Sequence, residues 1–470
     1  MFGLDAGMTF ILIICILAAC IFEFINGFHD TANAVATVIY TKSMKPTTAV
    51  VLSGIMNFIG VFVGGIAVAM GIVNLLPMGL LIDQSAAHSV SMILALIVTA
   101  IIWNLGTWYL GIPCSSSHTL IGSIFGVGIA YGLLPNATAI ALNWGKVKDV
   151  GLSLLMSPLF GFGVALGVMY LLIKFIDNKK LFNEPDKKKA PPFWIRLFLI
   201  FTSIALSFFH GSNDGQKGVG LVMIILIGIV PVQFALDHSK KTENLITQVN
   251  SIESVIDKID SKKISIQDKI SLVIAKEKID TMQATLAGIV SFKDLKKESN
   301  FELRKDILVM AKEISKIQNR EADEQPLKLS KEDKVTIKES IKEMKTYTEY
   351  APYWVILLIS ISLGLGTMIG WKRIVVTIGE KIGNEKLNYA QGFSANLVAA
   401  STIGLSTYLG LPVSTTHVLS SGVAGSMVAS KGKQNLRMKT VKNILIAWLV
   451  TLPVTIILSG SLFLLFRLFS

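Results

Sequence analysis

The sequence contains little charge for its length. Only 16% of its 470 residues are Asp, Glu, Lys or Arg, whereas 52% are hydrophobic. Because a soluble globular domain usually has about 25% charged residues, this composition predicts an integral membrane protein. The sequence also lacks runs of Lys and Arg interleaved with aromatic residues, so nucleic acid is not an expected partner.

Cysteine is scarce as well. Cys15, Cys20 and Cys114 all lie in apolar segments and have no metal-ligand spacing, so we expect small packing residues, with no disulfide framework, no fixed metal site and no cofactor. The N-terminus lacks a basic segment and a small-residue cleavage site, so the apolar segment 8–25 is predicted to be a retained membrane span.

The charge that is present is concentrated in one segment, 237–350, which holds 22 Lys and Arg and 21 Asp and Glu. The rest of the chain holds 22 basic and 11 acidic residues, so nearly all of the net charge of +12 lies around the membrane. The segment 237–350 has apolar residues at helical spacing, which predicts an extramembrane helical insert. These residues are Ile252, Val255, Ile256, Ile259, Ile266, Ile270 and Val273. We favour an accessory bundle over a coiled-coil contact with a partner.

Two unusual motifs each occur twice. Residues 27–35 read GFHDTANAV and residues 211–219 read GSNDGQKGV, while 110–118 read LGIPCSSSH and 409–417 read LGLPVSTTH. Asp30 and His118 are 88 residues apart and Asp214 and His417 are 203 apart, and the 114-residue insert accounts for the difference almost to the residue. Duplicated halves with polar, glycine-containing breaks are typical of secondary transporters.

The expected fold is therefore an all-α polytopic membrane protein with two inverted-topology repeats, broken helices or re-entrant hairpins, and a helical insert in the second half. Each uncharged tract, 90–135 and 387–430, is too long for one span and should break at its Gly-x-Pro motif. The expected spans are 8–25, 47–74, 150–173, 197–209 running into 218–236, 352–371 and 443–466. The predicted division is a first repeat 1–174, a basic cytoplasmic linker 175–196, the second repeat in two parts, 197–236 and 351–470, and between them the insert 237–350.

Loop charge predicts the orientation. Segments 41–46, 174–196, 372–388 and 430–442 hold 18 Lys and Arg, whereas the opposite segments 1–7, 75–89, 131–149 and 467–470 hold 3. The basic loops should be cytoplasmic, which leaves both termini and, less directly, the insert on the periplasmic side.

Three acidic residues outside the insert lie within apolar sequence: Glu23, Asp30 and Asp214. A carboxylate in the hydrocarbon layer is costly, so it is expected to face a cavity or a partner. Asp30 and Asp214 occupy equivalent positions of the two repeats and should approach each other at mid-membrane, where they suit a coupling cation. His29 and His210 could relay protons and Glu23 could accept one, whereas His118 and His417 are expected to be structural.

The neighbouring donors predict an anion site. Glycines around each aspartate suggest interrupted helices with free N–H groups, which attract anions. Asn33 and Lys217 lie three residues after the aspartates, and six hydroxyls follow the two prolines. These hydroxyls belong to Ser115, Ser116, Ser117, Ser414, Thr415 and Thr416. Lys217 either contacts the anion or neutralises Asp214, and a compact oxyanion is the expected ligand.

On these residues the chain resembles the inorganic phosphate transporter (Pit) family. The matching segments read NGFHDTANAVATVIYT, IIWNLGTWYLGIPCSSSHTLIG, HGSNDGQKGVGLVMIILIG and GLPVSTTHVLSSGVAG. The resemblance implies alternating-access import of inorganic phosphate across the inner membrane by proton symport, with phosphate possible as a neutral complex with a divalent metal, and it implies a homodimer in membrane lipid. It points to Asp30, Asn33, Asp214, Ser115 and Ser414 and to the adjoining hydroxyls as binding residues.

Sodium-coupled members of the family have Asn where this chain has Lys217, and Glu where it has Asn396, and both differences favour proton coupling. The alternatives are a sodium-coupled phosphate symporter and a sulfate permease of the same fold. Acceptors such as Asp30 and Asp214 favour phosphate, because phosphate can donate a hydrogen bond and sulfate at neutral pH cannot. An intramembrane hydrolase would need only one set of groups, so we do not expect an enzyme.

Overall fold

The computed structural model of the protein describes residues 2–76, 86–134, 142, 144–186, 190–260, 264–320, 329–370 and 372–469. These residues fold into two compact units: 5–229 with 351–470, and 1–4 with 230–350. The first unit carries the duplicated motifs, and the second contains the charged insert.

The first unit is built from helices. Up to the insert these are α1 (Ala6–Tyr40), α2 (Pro46–Val63), α3 (Ala67–Val73), α4 (Ala86–Tyr109), α5 (Ser116–Gly132), α6 (Trp144–Phe175), α7 (Phe193–His210) and α8 (Gln216–Ile229). The second unit contains α9 (Pro231–Phe234), α10 (Thr242–Ile256), α11 (Ile266–Leu286), α12 (Lys297–Arg320) and α13 (Lys331–Thr348). The first unit then resumes with α14 (Tyr353–Thr367), α15 (Lys372–Val376), α16 (Tyr389–Tyr408), α17 (Thr415–Lys431) and α18 (Met438–Phe466).

Within the described residues, six helices are long and apolar enough to cross a membrane. They are α1, α2, α4 from Ser89, α6, the continuous helix Phe193–Ile229, and α18. The chain is thus a multi-pass membrane protein, as its composition predicts. Four differences from the expected spans stand out. α1 extends 15 residues beyond the predicted 8–25, and the predicted 47–74 is divided into α2 and α3. The predicted 218–236 runs past the end of α8 at Ile229 into the second unit, and within 352–371 the helix α14 has only 15 residues.

Both uncharged tracts break at Gly-x-Pro, as predicted. Gly111 and Gly410 have φ values of 65° and 67°, a left-handed conformation that glycine adopts without strain. The N–H of the following residue closes the end of each preceding helix, from Ile112 to the carbonyl of Thr107 and likewise from Leu411. The proline then prevents the helix from continuing, and a new helix begins a few residues later.

The predicted interruption of the helices at the aspartates is wrong. α1 is a continuous α-helix through Asp30, and the second motif contains only a π-helical turn, Gly211–Gly215, between α7 and α8. The glycines instead allow close helix packing, which small residues permit in membranes. A Cβ atom on Gly27 would lie 2.6 Å from the carbonyl oxygen of Leu363 in α14.

Two helix pairs cross between the halves. α5 packs against α18, and α6 packs against α17. Small residues make both contacts: a Cβ on Gly126 would lie 2.1 Å from the carbonyl oxygen of Ile456, and one on Gly161 would lie 2.5 Å from that of Val418. These crossings place α5 and α17, the helices that follow the Pro motifs, inside the unit.

In the second unit, the apolar pattern of the insert is only partly buried. Ile252, Val255 and Ile256 are buried as expected for the core of a bundle, but Ile266, Ile270 and Val273 are exposed. α11 buries its other face, which carries Leu272, Ala275, Ile279, Met282 and Leu286. The helical spacing alone did not distinguish these two faces.

Arg304 joins the two ends of this unit. Its guanidinium is buried and donates to the carbonyl oxygens of Ala235 and Thr348, at 2.8 and 2.7 Å. Burial lowers the pKa of Arg304 to about 10, which leaves it charged at neutral pH. The N–H of Asp237 also donates to the carbonyl of Tyr347, at 2.9 Å. The segments that enter and leave the insert are therefore held side by side.

We expect Arg304→Met to loosen the second unit, because two buried carbonyl groups lose their donor, at about 1–3 kcal/mol each. Hydrogen exchange of the full chain should become faster in α9, α12 and α13. Lys342→Met, at an exposed position of the same unit, is the control and should change nothing. Unchanged exchange in the Arg304 variant would contradict the role of this contact.

Candidate functional site

The carboxylate of Asp30 lies between the two Pro motifs. Its Oδ1 atom accepts from the Thr416 hydroxyl at 2.9 Å, and its Oδ2 atom accepts from Ser116 at 3.2 Å. Asn33 donates to the Thr416 oxygen at 3.0 Å, and His29 Nδ1 lies 3.0 Å from Asp30 Oδ1. One buried carboxylate thus accepts hydrogen bonds from hydroxyl groups in the first turns of both α5 and α17.

Asp214 is neutralised by Lys217. The ammonium donates to Asp214 Oδ1 at 2.6 Å, to the carbonyl oxygen of Val413 at 3.2 Å, and to the Ser117 hydroxyl. The second carboxylate oxygen of Asp214 accepts from Thr415 at 3.4 Å. Of the two predicted roles of Lys217, the structure contains the ion pair with Asp214.

Hydrogen bonds around His210 fix which of its ring nitrogens faces the carboxylates. The Thr367 hydroxyl donates to the carbonyl of Leu363 at 2.8 Å, so its oxygen accepts from Asn57 Nδ2 at 2.8 Å. The amide oxygen of Asn57 then lies 3.0 Å from His210 Nδ1, which must donate to it. The Nε2 atom of His210 is left free to accept a proton or to bind a cation.

His210 Nε2 lies between the two aspartates, 3.8 Å from Asp30 Oδ2 and 3.6 Å from Asp214 Oδ2. All three side chains are buried, and their ligand atoms lie within 4.8 Å of one another. The predicted approach of Asp30 and Asp214 is therefore present, with an imidazole between them. Two carboxylates and one imidazole nitrogen are a donor set that divalent cations accept.

Ser115 and Ser414 are the N-caps of α5 and α17. Each side-chain oxygen accepts from the backbone N–H of the histidine three residues later, His118 or His417, at 3.1 Å. These two hydroxyls are therefore engaged in capping. Ser116, Ser117, Thr415 and Thr416 lie in the first turns, where helix N–H groups and the positive end of the helix dipole favour an anion.

The remaining predicted residues lie around this cluster. His118 and His417 have ring centroids 4.4 Å apart, and His417 stacks on Trp448 at 3.9 Å, an arrangement that fits their predicted structural role. Glu23 contacts neither aspartate through a hydrogen bond. Its Oε2 accepts from Asn26 at 3.2 Å, and its Oε1 has no hydrogen-bond partner.

The sequence did not point to Asn57, Thr367 or Asn213. Asn213 donates to the Thr407 hydroxyl at 3.0 Å and accepts from the N–H of Val413 at 3.3 Å, so it holds the segment that carries the Val413 carbonyl. A single amide within an apolar helix is the signal that could have identified Asn57 in α2.

The chain matches the model described as "Phosphate transporter family" over residues 26–459. This range includes all four motifs and every residue of the cluster around His210. The chain belongs to the phosphate transporter family, the Pit family.

Relatives in this family are similar over their whole length. The "Low-affinity inorganic phosphate transporter" of Buchnera aphidicola subsp. Acyrthosiphon pisum (strain APS) is 41% identical over 98% of this chain and 97% of its own. PitA of Escherichia coli (strain K12), with the same description, is 40% identical over the same shares of the two chains. A solved structure titled "The sodium-dependent phosphate transporter" covers 98% of this chain and 100% of its own, with a TM-score of 0.56 and 22% identity, and supports the fold alone.

These similarities establish the coarse function. The protein is a phosphate transporter of the Pit family and not an enzyme, as the motifs predicted. Phosphate is the substrate of this family.

We expect Lys217→Met to destabilise the protein by about 3–5 kcal/mol, because it leaves Asp214 buried without its ammonium. The double variant Asp214→Asn/Lys217→Met, which removes both charges, should recover most of the loss. The measurement is thermal unfolding in detergent micelles, with the exposed Lys442→Met as control. Equal stability of the single and double variants would contradict a buried ion pair.

Proposed function

We propose that the protein imports inorganic phosphate by proton symport with alternating access. The observation that carries the proposal is the buried cluster around His210. Asp30 and Asp214 flank this residue and accept hydrogen bonds from hydroxyl groups in the first turns of two helices. Such a cluster offers adjacent positions for an anion and for the cation that must accompany it.

The anion would bind at the first turns of α5 and α17. Ser116, Thr415 and Thr416 donate to the carboxylates in this structure, and rotation of their hydroxyls would let them donate to phosphate oxygens instead. Asn33, and Lys217 or the Ser117 hydroxyl that it contacts, would complete the site. Ser115 and Ser414 would act through their caps, which orient the helix N-termini.

Charge accounting supports coupling to a cation. Glu23, Asp30 and Asp214 are three buried acids, and Lys217 is the one buried Lys or Arg among the described residues of the first unit. A phosphate anion would add further negative charge in a region of low dielectric, which is costly without compensation. A proton or another cation taken up on these acids, or on His29 or His210, would provide that compensation.

The exchanged helix crossings support an inverted repeat. α5 of the first half packs on α18 of the second, and α17 of the second packs on α6 of the first. The polar contacts cross in the same way, from Thr416 to Asp30 and from Lys217 to Ser117. Two intertwined halves that share one site suit an alternating-access mechanism, in which one half rocks against the other.

Two features bear on the transported species. The Asp30, His210 and Asp214 donor set is compatible with the metal of a neutral divalent metal–phosphate complex, which would then be substrate rather than a resident ion.

A sodium-coupled mechanism is the alternative. It is less favoured because the Lys217 ammonium already lies among three oxygen atoms, where a monovalent cation would otherwise fit. A homodimer in the bacterial inner membrane completes the proposal.

Proteoliposomes with separately imposed gradients test the proposal. We expect labelled phosphate to accumulate under an inward proton gradient and not under a sodium gradient. Asp30→Asn and Asp214→Asn should each abolish accumulation, because each removes an acceptor of the hydroxyls and a charge of the cluster. Lys442→Met is the control. Accumulation driven by sodium alone, or unchanged in both variants, would refute proton symport at these residues.

Orientation can be tested separately with single cysteines in a background without Cys15, Cys20 and Cys114. We expect Asn183→Cys, in the basic linker, to react with a membrane-impermeant maleimide only from the cytoplasmic side, and Lys338→Cys, in the insert, only from the periplasmic side. Labelling of intact spheroplasts and inverted vesicles measures both. Reaction of the two variants from the same side would contradict the proposed topology.

A further inference from the structure

Glu23 differs from the two aspartates in having no compensating cation. The residue is fully buried in α1, seven positions before Asp30, and its one hydrogen bond comes from Asn26. Within the described part of the chain, no nitrogen of Lys, Arg or His makes an ion pair with its carboxyl group. By contrast, Lys217 neutralises Asp214, and His29 lies 3.0 Å from Asp30.

The pocket of Glu23 is tight and gives its carboxyl group few hydrogen-bond partners. A Cβ atom on Gly218 of α8 would lie 2.3 Å from Glu23 Cγ and 2.6 Å from Oε1, so the α8 backbone presses directly on the carboxyl group. The Oε1 atom and the amide oxygen of Asn26 both lack hydrogen-bond partners. An ionised carboxylate in such a place would cost several kcal/mol of desolvation free energy that no interaction offsets.

The charged groups around the pocket do not change this balance. Asp30 on α1 and Asp214 in the π-helical turn before α8 are negative, and Lys217 on α8 is positive but paired with Asp214. α14 and residues 89–109 of α4 carry no Asp, Glu, Lys, Arg or His. The surrounding field therefore does not favour a negative Glu23, and the neutral, protonated carboxyl group is the form that fits this structure.

We infer that Glu23 carries the coupling proton, in a pocket separate from the anion site. The inference rests on the proposed function and assigns its proton to one residue. The proton binds a carboxylate oxygen of Glu23 while the site is open to the outer side. It stays on the neutral acid while access changes, and it leaves to water once the site is open to the cytoplasmic side. The carboxylate that remains then takes the next proton.

The connection between the two sites is short. Lys217, whose ammonium contacts Asp214 and Ser117, is followed directly by Gly218, whose backbone packs on Glu23. A shift of this turn of α8 when phosphate binds or leaves would therefore change the space around the Glu23 carboxyl group. The same turn connects the anion site with the proton site.

The second half has no equivalent acid. Ser207 lies seven residues before Asp214, as Glu23 does before Asp30, and its hydroxyl is satisfied by Ser53 at 2.9 Å and by the carbonyl of Ser203 at 2.9 Å. This half is neutral at that position. Of these two equivalent positions only Glu23 can hold a proton in this way, and Ser207 provides the matched control.

The experiment compares wild type, Glu23→Gln and Ser207→Ala in proteoliposomes. A gradient of one pH unit supports about tenfold accumulation per proton carried with phosphate. We expect this ratio to fall to about 1 in Glu23→Gln, because glutamine mimics the protonated acid but cannot release a proton. Exchange of internal for external phosphate without a gradient should persist, and Ser207→Ala should behave like wild type.

The outcomes separate the two proposals. If Glu23→Gln accumulates phosphate as wild type does, Glu23 is not the proton site, although proton symport stands. If wild type itself fails to respond to the proton gradient, the proposed function fails.

Should Glu23→Gln not fold, infrared spectroscopy of wild type and Glu23→Asp provides a second test. A protonated carboxyl band at neutral pH is expected in wild type, and it should shift in the aspartate variant. Absence of that band would overturn the assignment.

Discussion

The ammonium of Lys217 is the contact on which the arrangement of the site depends. It joins Asp214 of the second motif, Ser117 of the first Pro break and the Val413 carbonyl of the second break. These groups come from distant parts of the sequence, and each would be an unsatisfied polar group in the membrane without the others. Burial of this cation therefore ties α5, α8 and the segment before α17 together, alongside the direct hydrogen bond from Ser117 to the Val413 carbonyl.

Close packing makes such burial possible. Gly27, Gly126 and Gly161 each bring a backbone within a distance that a Cβ atom would prevent. Because lipid provides no hydrophobic drive for helix association, packing of this kind and interhelical hydrogen bonds supply the cohesion. It also leaves so little space that a polar side chain must be matched to a partner, which explains why an unmatched acid such as Glu23 is informative.

Much of the fold could be predicted from the sequence because its causes are local. Gly111 and Gly410 adopt the left-handed conformation, and the prolines after them prevent continuation, so both breaks followed from the local Gly-x-Pro motif alone. The aspartate pair followed from the duplication. The continuous α1 did not, because a glycine that allows close packing and a glycine that ends a helix are the same letter in the sequence. The roles of Asn57 and of the His210 tautomer depend on contacts between distant helices, which no local pattern encodes.

The two halves differ at the positions on which the proposed charge balance depends. Position 33 is Asn in the first half and its counterpart, Lys217, is a cation, while Glu23 is an acid and its counterpart, Ser207, is neutral. A strictly symmetric site would hold either two fixed cations or none, and either two mobile protons or none. One fixed ammonium leaves one aspartate neutralised, and in the proposed mechanism one unmatched acid is the place for a proton that can leave. If the proposed mechanism holds, the duplicated scaffold supplies the symmetry that alternating access needs, while the substitutions at these two positions set the charge that accompanies phosphate.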